Sequence, residues 1–232
     1  MNIMKSISDF IVSELHGWKK AEIAWMIFCS AAILILSIVM KDNFLGILSA
    51  LTGTLYALWA GKGKVSCYFF GIINSFCYGL ISYQYQLFGE VMLNWGYYFP
   101  MMFVGLFFWK KHLNQQQEIF KTKLNNTGRI ILFTLSVTGI IFYAVLLKCI
   151  GGRTPGLDSI TTVLSVAAMI MTVKRCVEQW FLWTIVNIVS IIRWLKIFIN
   201  EGGAIASLLM WCIALANGII FYCQWTKEVK NG

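Results

Sequence analysis

Eight runs of apolar residues set the terms for this chain: roughly 22–40, 44–60, 65–82, 91–109, 128–148, 157–173, 179–199 and 203–225. About 20 apolar residues in a helix span a hydrocarbon core about 30 Å thick. Within that core the backbone must satisfy its own hydrogen bonds, and a helix does so within one segment. Hydrophobic residues make up 59% of the sequence and charged residues 12%, well under the ~25% charge of soluble domains. The expected fold is an all-α polytopic membrane protein with eight transmembrane helices. The first run begins after some 20 mixed residues, exceeds a signal-peptide core in length and lacks a small-residue cleavage site, so it reads as a span. Ahead of it, Ile3, Ile7, Phe10, Ile11 and Leu15 recur at helical spacing. Residues 1–21 read either as an amphipathic surface helix or as a frayed terminus.

A net charge of +9 could point to nucleic acid, but its distribution points to a membrane. Sorting the loops alternately puts 14 basic residues on one side, among them Lys19, Lys20, Lys62, Lys64, Lys110, Lys111, Lys174, Arg175, Lys227 and Lys230. The other side holds four: Lys41, Lys148, Arg153 and Lys196. The positive-inside rule then places both termini in the cytoplasm and favours an even number of spans. The seven cysteines form no C-x-x-C pair, and five lie within spans; they read as reduced, small apolar fillers. His16 and His112 both lie outside the spans, which leaves no histidine for a proton relay. No cofactor, metal or nucleic-acid partner is expected. The loop 110–128 is polar and reads as a solvated connector.

Two stretches of the pattern look alike. Cys67, Phe70, Asn74 and Tyr78 share one helical stripe, and so do Trp180, Trp183, Asn187 and Ile191. The two asparagines are 113 residues apart (187 − 74), and each follows a basic turn. Trp95 and Trp109 are 14 apart, as are Trp211 and Trp225, at an offset of 116 (211 − 95). Spans 2–4 and 6–8 therefore read as two three-helix repeats. Four spans separate their starts, an even number, so the repeats enter the membrane in the same direction, with span 5 as the linker helix. The expected organisation is 1–43, an N-terminal segment with one extra helix; 44–110, the first repeat; 111–150, a cytoplasmic loop and linker helix; and 151–232, the second repeat and tail.

Asn74 lies nine residues and Asn187 eight residues into their spans, ~12–13.5 Å deep at 1.5 Å per residue. An amide there needs a partner: another helix or a polar ligand. Matched amides beside aromatics point to a ligand between the halves, since an amide suits carboxamides and hydroxyls and a flat ring suits a planar or cationic one. Trp18, Trp59, Trp109 and Trp225 suit the interfacial aromatic belt instead, and Trp180 suits either role. Trp183 and Trp211 lie deeper. The expected substrate-binding residues are Trp180, Trp183, Asn187, Asn74, Phe70, Tyr78, Asn94, Trp211 and Asn217. Arg193, about 120° around its helix from Asn187, reads as a snorkelling structural residue, and Glu90 and Asp158 read as solvated outer-end acids.

Trp180-x-x-Trp183-x-x-x-Asn187, the stretch Tyr68-Phe69-Phe70-Gly71-x-x-Asn74 and the three-plus-one-plus-three layout resemble the PnuC family of nicotinamide riboside transporters. The resemblance covers spans 2–8; the family in turn resembles the SWEET sugar transporters in architecture. It implies facilitated diffusion of the unphosphorylated riboside across a bacterial inner membrane, trapping by a cytoplasmic kinase, and a homo-oligomer, a trimer. The alternatives are a carrier of another vitamin such as thiamine and a SWEET-like sugar uniporter. A membrane enzyme would need paired acids or a His–Asp cluster at one membrane face, which the sequence lacks.

Overall fold

The computed structural model describes residues 14, 17–113, 118–149 and 155–231. Of residues 1–21, the stretch proposed as a surface helix, residues 1–13, 15 and 16 lie outside them. From Lys20 on, eight helices follow one another among the described residues: α1 (Lys20–Val39), α2 (Phe44–Lys62), α3 (Cys67–Gln84), α4 (Phe88–Lys110), α5 (Asn126–Cys149), α6 (Pro155–Val173), α7 (Glu178–Glu201) and α8 (Ile205–Asn231). No strand forms among the described residues; there are two isolated bridges, Leu113 with Ile119 and Thr122 with Cys176.

Seven of the eight are long and apolar enough to cross a membrane; α3 is not among them. The eight-span expectation thus stands at seven on length and composition. α3 carries Asn74, two serines and three tyrosines, and nine of its residues are buried, including Ser75, Tyr78 and Ser82. Packed against α2 and α4, it meets protein where a peripheral helix would meet lipid. Burial within a bundle is what lets a helix carry polar groups at membrane depth.

Local chemistry sets the boundaries. The Asn43 side chain caps α2, accepting from the Gly46 N–H at 2.6 Å. Gly63 closes the same helix with φ +73°, a left-handed conformation that costs a glycine little. Gly202 closes α7 the same way at φ +71°.

α2 packs on α3 and α8, and α6 packs on α5, α7 and α4; α1 leans on α2 and α8. Two tryptophans lock these contacts reciprocally. Trp109, at the end of α4, donates its indole N–H to the Thr172 carbonyl of α6 at 3.0 Å. Trp225, near the end of α8, donates to the Gly61 carbonyl of α2 at 2.6 Å. Both rings are fully buried, so these Trp residues, which the sequence suits to an interfacial belt, sit inside the protein.

One end of the bundle is basic and heavily paired. Lys62 bonds Glu22 at 3.1 Å, Lys64 lies 3.6 Å from Glu118, and Lys121 pairs with Glu228. The segment after α4 forms a strap across this end. The Ile119 N–H donates to the Gly63 carbonyl, the Thr122 N–H to the Arg175 carbonyl, and the Val177 N–H to the Thr122 carbonyl. The described part of the connector from Ile119 to Thr122 is therefore a tie between the two basic turns, unlike the solvated loop that its polarity implies. At the opposite end an Asp42 carboxylate oxygen accepts from the Ala206 N–H at 2.8 Å. The seven cysteines are all free thiols; Cys149, Cys212 and Cys223 are exposed and the others buried.

Candidate functional site

A cavity of about 120 Å³ lies at the centre, walled by α2, α3, α4, α6, α7 and α8. Seven of the nine residues singled out from the sequence line it: Asn74, Tyr78, Asn94, Trp180, Trp183, Asn187 and Trp211. Phe70 and Asn217 do not. Phe70 packs edge-on against Trp59 at 5.3 Å. Asn217 faces α1, where its Oδ1 accepts from the Trp25 indole at 2.9 Å. A helix with no counterpart in the repeat pattern therefore claims the Asn217 oxygen.

The lining side chains differ in how far the protein already uses them. The Asn74 amide donates to the Ser49 carbonyl at 2.8 Å and the Ser49 hydroxyl at 3.2 Å, and touches the Met210 sulfur at 3.7 Å. Gly53 makes room for it, since a Cβ there would lie 2.8 Å from Asn74 Nδ2 and 2.6 Å from the Met210 sulfur. Tyr78 is fixed by two indoles, its hydroxyl accepting from Trp194 at 2.7 Å and Trp211 at 3.1 Å. Trp183 donates to the Thr172 hydroxyl at 3.2 Å, and its ring lies 6.0 Å from that of Tyr98. Trp180 packs on Phe221 at 5.2 Å and Trp225 at 5.6 Å. The Asn187 side chain, 3% exposed, makes no hydrogen bond to any described residue. Gln179, Trp180 and Tyr56 also line the cavity, and Gln179 Nε2, Trp180 Nε1 and the Tyr56 hydroxyl are buried without a partner among the described residues. A buried polar group without a partner costs roughly 1–3 kcal/mol, so the wall is prepared for polar company.

Glu90, Asn94, Tyr98 and Met102 all face the cavity from α4. Residues four apart drift about 40° around an α-helix. The π-helical turns Met92–Tyr98 hold more residues each and offset that drift, so four side chains stay on one face. The sequence reading missed Glu90, Tyr98 and Gln179. The spacing of four was visible, but the π segment that makes it a face was not.

Arg193 is not a snorkelling residue. It donates to Glu90 Oε1 at 2.5 Å and to Asp158 Oδ1 at 2.9 Å, tying α7 to α4 and α6. The Glu90 side chain is 13% exposed, so this acid is enclosed and paired where solvation was expected. An arginine at membrane depth needs a counter-charge, and the two acids were the available ones. No group of three or more His, Cys, Asp or Glu among the described residues could hold a metal.

A sequence model described as nicotinamide mononucleotide transporter matches residues 43–227. The chain belongs to the nicotinamide mononucleotide transporter family. Among its relatives is the nicotinamide riboside transporter PnuC of Neisseria mucosa, 34% identical over 221 residues, covering 93% of this chain and 84% of that one. The PnuC of Haemophilus influenzae is 32% identical over 220 residues, with 94% of both covered. A crystal structure of the vitamin B3 transporter PnuC superposes with a TM-score of 0.86 at 34% identity, over 94% of this chain and 96% of that one. Members of this family are transporters rather than enzymes, and the cavity sits within the matched region. The family match opens at Asn43, the cap of α2, and leaves α1 ahead of it.

Proposed function

We propose that this chain carries nicotinamide riboside across a bacterial inner membrane by facilitated diffusion. The family description names the mononucleotide and the relatives' names the riboside. The cavity favours the riboside: among the described residues Glu90 is the one charged residue in its lining, with no Lys, Arg or His. A phosphate carries about −1.5 to −2 charge and binds where Arg, Lys or a helix N-terminus meets it. The riboside lacks that charge and offers a planar cationic ring, a carboxamide and ribose hydroxyls. Trp183 and Trp180 suit the ring; Asn187, Gln179 and Asn74 suit the polar groups.

The architecture read from the sequence supports the same proposal. The reciprocal bonds of Trp109 to Thr172 and Trp225 to Gly61 fit two parallel three-helix repeats, α2–α4 and α6–α8, joined by α5. In that arrangement all eight helices cross the bilayer, and the basic end faces the cytoplasm. A cytoplasmic kinase that phosphorylates the riboside keeps uptake running downhill. The resemblance to PnuC supports a homotrimer, which native mass spectrometry in detergent checks.

Proteoliposome uptake tests the function. Labelled riboside should enter and equilibrate, the mononucleotide should not, and collapse of proton and sodium gradients should leave the initial rate unchanged. Uptake of the mononucleotide at a similar rate, or strict dependence on either ion, would overturn this reading.

A further inference from the structure

A second cavity, of about 950 Å³, shares no lining residue with the central one of about 120 Å³. Its size falls within the roughly 300–1,000 Å³ of ligand pockets. α5 packs on α6, with Ser136 as its one buried residue, and the cavity lies between α5 and the pair α7 and α8. Phe133 and Phe181 line it and are exposed, so the groove opens sideways, toward the membrane.

Its walls are graded in polarity. Lys123, Arg129 and Lys230 stand at the basic end with one acid, Glu178. The Glu178 carboxylate is already taken, by Arg129 Nε at 2.9 Å and the Leu124 N–H at 3.2 Å. Glu228, two residues before Lys230, pairs with Lys121. Neither Lys123 nor Lys230 forms an ion pair with a described residue. The described lining thus carries a net charge of +2, three cations less one acid. Further in, Phe133, Val137 and Ile140 of α5 and Ile185 of α7 make the wall apolar. Ile140 lies 14 residues past Asn126 (140 − 126), ~21 Å at 1.5 Å per residue. One leaflet with its headgroups is about 20–22 Å thick, half of a bilayer.

We propose that this groove holds an anionic phospholipid of the leaflet at the basic end. Its phosphate lies against Lys123 and Lys230, and its acyl chains run along Phe133, Val137 and Ile140. Basic pockets between membrane helices take anionic headgroups. The rival occupant is a second copy of this chain. A copy would bring its own basic end to the same level, so like charges would meet. A phosphodiester brings the opposite charge. The assignment holds whether or not the central cavity takes a riboside.

Native mass spectrometry on the purified full chain tests it, titrating phosphatidylglycerol and phosphatidylcholine of the same acyl chains. The wild type should bind the first about tenfold more tightly. Lys123→Gln with Lys230→Gln should weaken phosphatidylglycerol about tenfold or more and phosphatidylcholine less than about twofold. Lys20→Gln with Lys110→Gln is the control, since both lysines are exposed and outside the groove. It should change either affinity less than about twofold. Equal wild-type affinity for the two lipids, or an equal loss in the control, means that no site selects the anion and overturns the proposal. Val137→Trp fills the groove from an exposed position and should weaken both lipids about fivefold or more. A Val137→Trp protein of altered oligomeric mass that binds phosphatidylglycerol normally has a second copy in the groove, which also overturns the proposal. Thermal melts without added lipid report the fold; should Val137→Trp not fold, the lysine pair and its control decide.

Discussion

Asn74 of α3 and Asn187 of α7 both line the cavity, yet of the two only Asn74 bonds its amide to a neighbouring helix among the described residues. Asn74 grips the Ser49 carbonyl of α2, whereas the Asn187 side chain faces the cavity with no hydrogen bond to a described residue.

The two asparagines should therefore respond differently to substitution. Asn187→Leu should lower riboside affinity about tenfold or more, since a hydrogen bond to a buried amide is worth ~1–3 kcal/mol, and should leave the melting temperature nearly unchanged. Asn74→Leu should lower both, with a stability loss of about 1 kcal/mol from the broken bond to Ser49. Calorimetry and thermal melts on the same preparations separate the outcomes. An Asn187→Leu protein that melts early but binds normally would place the ligand elsewhere.

Trp183 should act through its ring face. Trp183→Ala should weaken binding by roughly 1–3 kcal/mol, the worth of stacking plus cation–π contact, and Trp183→Phe should recover part of it. The bond from its indole to Thr172 is lost in both variants, so a shared drop in stability is expected. The difference in affinity between the two reports the stacking alone.

Trp109→Phe and Trp225→Phe should each destabilise the fold by roughly 0.5–1.5 kcal/mol, because each removes one buried hydrogen bond, to the Thr172 carbonyl, which keeps the Arg175 N–H, and to the Gly61 carbonyl. Neither residue lines the cavity, so affinity in the folded variants should hold. Unfolding midpoints in detergent, with a binding measurement alongside, check both statements. A loss confined to one of the pair would count against their equivalence.

Both termini should lie in the cytoplasm, given 14 basic loop residues on one side and four on the other. Tags at either end should be protected from a periplasmic probe in intact cells. An exposed C-terminal tag would mean that one helix, α3 first among them, does not span.

Much of this was legible from residue type and spacing. The helices follow from long apolar runs, and the cavity-lining positions of Asn74, Trp183 and Asn187 follow from stripes at helical period. Phe70 and Asn217 lie on apolar helices too, but which neighbour each meets depends on crossing geometry that one helix's sequence does not contain. Glu90 was hidden because its depth depends on where α4 begins, and α4 starts at Phe88, three residues before the apolar run. The π turns and the strap were invisible for a related reason. The strap is set by hydrogen bonds between segments far apart in sequence, and the π turns have no local composition signal.

The strap gives the two ends of the molecule different mechanical character. At the basic end the turn at Gly63 and the turn at Arg175 are joined in series by main-chain hydrogen bonds, one from Ile119 to Gly63 and two between Thr122 and the Arg175–Val177 turn, and separating the turns breaks one link or the other. At the other end the helices meet through side chains, such as Arg193 with its two acids and Tyr78 with Trp194. Side chains can change rotamer while the helices stay whole; the strap can release only by pulling the chain between α4 and α5 out of place. The cavity thus lies between an end joined through main chain and an end joined through side chains.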